Sequence, residues 1–282
     1  MTGTLYVVGT PIGNLEDMTL RAIRILQTVD VIAAEDTRHT GKLLQHFQIH
    51  TPQISYHQHN CQSRMAELIP QLQAGKNIAL VCDAGMPTIA DAGMELIRAC
   101  IEREIAVIPI PGVTAVITAL VASGMDTSQF LFLGFWRNEY KEEIVREHRT
   151  VVCYEAPHRL LATLQTLAQL LEPERKIAIA RELTKLHEEF WRGTLAEAID
   201  HYSTHAPKGE ITIVLAGKPE TPVAWSEASL KAELQQLIQA GMSKTSASKH
   251  LAELTQLPRR YLYQLSLSLP ESGTTNCTDT FS

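Results

Sequence analysis

Short apolar runs alternate with segments of helical spacing over most of this chain. Leu5-Tyr6-Val7-Val8 reads as a strand and runs into a Gly/Pro loop. Residues 19–28 set Leu20, Ile23 and Leu26 at helical spacing, and residues 29–34 form a second strand that ends in charge. Residues 66–72 are helical, residues 78–81 a buried strand, residues 94–103 helical and residues 105–110 a strand. Residues 113–123 make an apolar helix opened by Pro111-Gly112. This β–α alternation predicts a mostly parallel sheet with helices on both faces.

The pattern changes near Phe130-Leu131-Phe132. Residues 151–154, 176–180 and 211–216 read as strands, with a helix over 160–171, so this half is expected to build its own mixed sheet. The fold class is α/β, with two lobes and a cleft between them; one large sheet is the alternative. The expected divisions are 1–116 and 117–218 for the lobes. A linker, Gly217-Lys218-Pro219-Glu220-Thr221-Pro222, leads into a helix-turn-helix-like bundle over 225–270. The Ser/Thr-rich end, 271–282, is expected to be disordered.

Composition narrows the class. An apolar fraction of 45% and a charged fraction of 20% are those of an ordinary globular protein. The five cysteines (Cys61, Cys82, Cys100, Cys153, Cys277) show no C-x-x-C spacing, which favours a reducing compartment over a disulfide framework or zinc site. No signal peptide or membrane-length apolar stretch is legible, so a cytoplasmic location is expected. The net charge of −6 argues against broad, non-specific nucleic-acid binding but leaves room for a local basic groove.

Chemistry gathers where the strands end. The stretch Cys82-Asp83-Ala84-Gly85-Met86-Pro87-Thr88-Ile89-Ala90-Asp91-Ala92-Gly93 packs two glycines, a proline and two acids behind a buried strand. Ligands of open α/β sheets bind at the carboxyl ends of strands, and glycine lets a backbone approach them, so this loop reads as one wall of a cofactor pocket. Similar clusters are Gly9-Thr10-Pro11-Ile12-Gly13-Asn14-Leu15, Ala34-Glu35-Asp36-Thr37-Arg38, Pro109-Ile110-Pro111-Gly112-Val113-Thr114-Ala115, Tyr154-Glu155-Ala156-Pro157-His158-Arg159 and Ala180-Arg181-Glu182-Leu183-Thr184-Lys185. Any one of them is compatible with a turn and a helix cap; together they point to a site. Neither a G-x-G-x-x-G fingerprint nor a P-loop is present.

The strings VVGTPIGNLEDMTLRA, AEDTRHTGKLL, CDAGMPTIADAG, PIPGVTAVITALVASG, YEAPHRL and ARELTK resemble the 16S ribosomal RNA cytidine-2′-O-methyltransferase family. That family belongs to the tetrapyrrole-methylase-like class of S-adenosylmethionine (SAM) enzymes. The resemblance runs from Leu5 to about Gly217. It implies SAM bound between two α/β lobes, a homodimer, and a cytidine ribose of small-subunit RNA, within an assembled subunit, as acceptor. It also implies a SAM pocket lined by Pro11, Asp83, Ala84, Gly85, Met86, Ile89, Thr114 and Ala115, with Glu155 and Ala156 closing it from the second lobe. Cys82, Ala92 and Val113-Thr114 stand where serine, proline and Pro-Ser are usual. The segment from Trp136 to Glu143 is shorter and less basic than the family's loop.

For proton removal the candidates are Glu182, Lys185, Asp36 and Glu155; an ion pair between Glu182 and Lys185 at helical spacing is the competing reading. RNA contacts are expected from Asn14, Arg38, His59 and Arg159, and from Lys249 and Arg259 in the bundle, where Lys244, His250 and Arg260 add positive charge; an amphipathic bundle docked on the lobes, with lysines exposed for solubility, is the competing reading there. His57 and His59 make a poor metal set, and no metal is expected. Trp136, Tyr140, Phe190 and Trp191 suit core packing better than base stacking. The competing functions are a related methylase of a tetrapyrrole or other small acceptor, and a SAM-sensing helix-turn-helix regulator.

Overall fold

A computed structural model describes residues 2–219, 225–255 and 257–269. The chain divides into two compact units, Met1–Pro219 and Glu220–Ser282.

The first unit contains two separate five-stranded sheets, so one large sheet does not form. The first sheet holds β1 (Thr4–Val8), β2 (Val31–Ala34), β3 (Gln53–Ser55), β4 (Ile78–Val81) and β5 (Ala106–Ile110) in the order β3-β2-β4-β1-β5. Every pairing in it is parallel. β4 is buried along its whole length because it lies in the middle of the sheet with helices on both faces. Its side chains alternate accordingly. Ala79 and Val81 join Ala22, Leu26 and Leu43 of α1 (Leu20–Thr28) and α2 (Thr37–His46). Ile78 and Leu80 join Leu68, Leu72, Leu96 and Cys100 of α3 (Cys61–Gln73) and α4 (Met94–Ile101). Each fully buried Leu or Ile in these layers contributes roughly 1.5–3 kcal/mol of transfer free energy.

α5 (Ala115–Ser123) begins two residues later than the apolar run suggests, because Thr114 caps it by accepting the Ile117 N–H. Gly124, at φ +80°, ends it. Its buried face, Val116, Ala119 and Leu120, packs on Val152, Ala178 and Val214 of the second sheet. The expected lobe boundary at residue 116 thus falls inside this helix.

The second sheet holds β6 (Phe130–Phe135), β7 (Thr150–Glu155), β8 (Lys176–Arg181), β9 (Glu189–Thr194) and β10 (Ile211–Leu215) in the order β6-β7-β10-β8-β9. Only β6–β7 is parallel. Its outer face is covered by α6 (Lys141–Arg146), α7 (Leu160–Ala168) and α8 (Leu195–Thr204), around Trp136, Leu164, Leu195 and Tyr202. Trp136 is a core residue, and the segment behind it forms a short turn and α6.

The second unit is a bundle of α9 (Glu227–Gln239), α10 (Lys244–Thr255) and α11 (Arg259–Leu267), closed around Leu230, Leu234, Leu251 and Leu262. The segment 271–282, expected to be disordered, lies outside the described residues. Among the described residues no helix is long and apolar enough to cross a membrane.

Candidate functional site

Parallel pairing brings the carboxyl ends of β1, β2, β4 and β5 to one edge, so four of the six loops meet there. Their approach depends on glycine. A Cβ on Gly9 would stand 2.7 Å from the Gly112 Cα and 2.6 Å from the Met86 sulfur. The β1 and β4 loops then clasp each other: the Thr10 N–H donates to the Gly85 carbonyl at 2.9 Å, and the Gly85 N–H to the Thr10 carbonyl at 3.1 Å. Gly85 sits at φ +83° with Thr88 and Ala90 both at +73°. A left-handed conformation costs a non-glycine residue about 1–2 kcal/mol, so this loop stores strain of the kind found around ligand sites.

Between the two sheets lies a cavity of about 480 Å³. Nine of the ten residues expected around SAM line it: Asp83, Ala84, Gly85, Met86 and Ile89 from the β4 loop, Thr114 and Ala115 at the start of α5, and Glu155 and Ala156 behind β7. The tenth, Pro11, lines an adjoining cavity instead, next to Thr10 of the clasp. The cavity also takes in Glu35, Asp91 and Tyr154 from the loop clusters, and Phe135 and the stretch from Gly209 to Thr212, which no cluster contained.

Its electrostatics are acidic. Burial, opposed by a hydrogen bond with the Cys82 thiol and reinforced by the Glu35 and Asp83 charges, pushes the Asp91 carboxyl up to about 6. Burial, then the Asp91 charge, raise the Cys82 thiol, which stays protonated and donates to the Ala84 and Gly85 carbonyls, both at 3.4 Å. Tyr154 is raised to about 12 by burial and then by Asp91.

The candidate bases are all engaged. Asp36 caps α2 and is doubly bonded by the Arg38 guanidinium, which holds its carboxyl well below the usual carboxylate range. Lys185 pairs with Glu182 at 2.9 Å and Glu210 at 3.2 Å. Burial pulls this amine down, but the two carboxylates outweigh it and hold it protonated, while the Lys185 hydrogen bond lowers Glu182. The competing reading of these two as an ion pair is the one that forms. Glu155 is fully buried and accepts from the Ala156 N–H at 2.7 Å, Arg159 Nε at 2.8 Å and the Thr163 hydroxyl at 2.6 Å.

Beside the cofactor-sized cavity, a second one of about 360 Å³ and a third of about 910 Å³ share Gly13, Leu15 and Lys185. Together they make a groove whose floor is the β1 loop. One wall is α2, with exposed His39, Lys42 and His46 and half-buried Phe47; the other is Thr184, Lys185 and Leu186. Asn14 lines this groove while capping a short turn through the Glu16 N–H. Arg38 is exposed at the start of α2, occupied with Asp36. Arg159 is held to Glu155, and His59 is exposed ahead of α3. Lys249 and Arg259 are exposed in the second unit. Among the described residues no group of His, Cys, Asp or Glu forms a metal set.

The architecture has known counterparts. A family model described as tetrapyrrole (corrin/porphyrin) methylases matches residues 4–199. Cobalt precorrin-4 methyltransferase, a cobalamin biosynthetic enzyme, shares the fold at a TM-score of 0.60 and 16% identity, over 76% of this chain and 94% of that one. Uroporphyrin-III C-methyl transferase from Thermus thermophilus, solved with S-adenyl homocysteine, gives 0.56 and 17%, over 75% of this chain and 97% of its own. The family model thus sets the chain among methyltransferases of tetrapyrrole-methylase type, with which the fold agrees. At the level of sequence, ribosomal RNA small subunit methyltransferase I from Synechocystis sp. is 57% identical over 278 residues, covering 96% of this chain and all of that protein. The chain belongs to the tetrapyrrole methylase family and, within it, to the ribosomal RNA small subunit methyltransferase I group.

Proposed function

We propose that this protein transfers a methyl group from SAM to the ribose 2′-hydroxyl of a cytidine in 16S ribosomal RNA, within an assembled or nearly assembled small subunit. The observation that carries the reading is full-length kinship with a ribosomal RNA small subunit methyltransferase, together with a cofactor-sized cavity that opens beside a groove bearing cations.

The cavity residues suit SAM. Ile12, Met86, Ile89 and Phe135 offer apolar surface for an adenine, and Glu35 and Asp91 offer acceptors for hydroxyls or an ammonium. SAM supplies a methyl made electrophilic by its sulfonium. The protein's contribution is placement, which for a well-oriented pair is worth up to about 7–11 kcal/mol of barrier. The strained β4 loop and its clasp to Thr10 give that placement a rigid wall. In the groove, Lys42 would hold a phosphate, and Phe47 a base face.

The same reading includes a cytoplasmic homodimer. Ile117 and Val121 leave an apolar stripe on α5 that is 46% and 69% exposed, and the edge strand β6 exposes Phe130 and Phe135. The test is calorimetric SAM binding followed by transfer of labelled methyl to undermethylated small subunits and to naked 16S RNA. SAM binding with faster labelling of the subunits supports the reading. Equal labelling of naked RNA removes the assembled substrate, and absence of SAM binding removes the cofactor site.

A further inference from the structure

The cofactor-sized cavity and the groove are separate spaces, yet a methyl group has to pass from one to the other. Asp83 is the single described residue that lines both. It stands two residues beyond β4, after Cys82, and is fixed on two sides from the loop that follows β2. The Asp36 N–H donates to its Oδ1 at 3.1 Å, and its own N–H donates to the Glu35 Oε2 at 3.3 Å. Among the described residues no hydrogen bond engages Oδ2 and no cation lies within ion-pair distance.

We infer, on the reading proposed above, that Asp83 is the carboxylate that accepts the proton of the acceptor hydroxyl. As the ribose oxygen forms its bond to the methyl carbon, the S–CH₃ bond breaks and its electron pair stays on sulfur. The O–H bond breaks in the same event, and the proton passes to an Asp83 carboxylate oxygen. Reactants and products balance: a sulfonium and a carboxylate become a neutral thioether and a neutral carboxylic acid. Charge therefore disappears during the step, which a half-buried, low-dielectric boundary favours over water.

The candidate bases named from the sequence are excluded by their partners, and Glu35 and Asp91 by their place. Asp36 is neutralised by Arg38, Glu182 by Lys185, and Glu155 is saturated by three donors. Lys185 is held as a cation between two carboxylates. Glu35 and Asp91 line the cofactor-sized cavity alone.

The test is Asp83→Asn, which keeps the shape and the acceptor for the Asp36 N–H while losing basicity, with Asp83→Glu as the conservative rescue. Single-turnover methyl transfer at saturating SAM and small subunits is expected to fall by at least about 100-fold in Asp83→Asn. Because Asp83 also lines the cofactor-sized cavity, SAM affinity is measured on each variant and SAM is held at saturation by that value, while binding to subunits should stay within about threefold of wild type. Asp83→Glu should recover part of the rate. An Asp83→Asn rate within about threefold of wild type, or one restored by more SAM, overturns the inference. If the wild-type protein itself labels no RNA, the reading beneath it fails and takes the inference with it; normal wild-type transfer beside an intact Asp83→Asn rate removes the inference alone.

Discussion

Glu155 joins β7 to the loop behind it, and its replacement separates a structural carboxylate from one that touches ligand. Its side chain is fully buried and takes hydrogen bonds from Ala156, Arg159 and Thr163. In Glu155→Ala the Thr163 hydroxyl, in a residue only 5% exposed, loses its acceptor; stranding a buried donor costs about 1–3 kcal/mol. Arg159 is 49% exposed, so water takes over much of its loss. The sum is about 3 kcal/mol, at the low end of what removal of one partner from a buried pair costs. For a unit of this size that corresponds to a fall in Tm of about 6–12 °C. Glu155→Gln keeps the volume, one acceptor for Arg159 and an amide that donates to the Thr163 hydroxyl, so its cost should be about 1 kcal/mol. The assay is thermal unfolding followed by circular dichroism, with SAM affinity measured on the same samples. A Glu155→Ala melt within about 2 °C of wild type refutes the packing argument. A normally stable Glu155→Gln whose SAM affinity drops about 100-fold refutes the structural role in favour of direct contact.

Three further outcomes follow from the geometry. Gly112→Ala brings a Cβ to 2.8 Å from the Gly9 Cα; it should cost at least about 1–3 kcal/mol and weaken SAM binding, as melting and calorimetry will read. Asp91 is raised to about 6, so the folded state holds its proton more tightly than the unfolded chain. Its stabilising contribution is complete below the ordinary aspartate value and is lost as pH rises through about 6, so Asp91→Asn should raise Tm at pH 8 and leave it unchanged near pH 4. Val121→Glu places a charge on the exposed α5 stripe and should convert a dimer to monomer in sedimentation velocity; a wild-type protein that sediments as a monomer refutes the homodimer.

The first sheet was legible wherever burial is two-sided. Ile78-Ala79-Leu80-Val81 has no polar residue because both of its faces are covered. α2 escaped because Thr37–His46 carries Gly41 and few apolar positions, only Leu43 and Leu44. β3 is three residues at a sheet edge, and β9, also an edge, mixes Glu189 and Arg192 with Phe190 and Trp191. α8 did carry a readable signal, the capping box of Thr194 and Glu197. The strand-end loops announced a site because parallel pairing puts such loops at one edge. Glu210, Ile211 and Thr212 reach the cavity through long-range antiparallel pairing of β10 with β7 and β8, which no local pattern encodes. The competition over Lys185 turned on Glu210 as well as Glu182, a contact between residues 25 positions apart.

The most direct test is transfer of labelled methyl from SAM to small ribosomal subunits that lack 2′-O-methylation, with the product nucleoside identified by mass spectrometry. Label on the ribose oxygen of a cytidine is the predicted result. Label on a base or on another nucleoside, or none on RNA while SAM is bound, would contradict it.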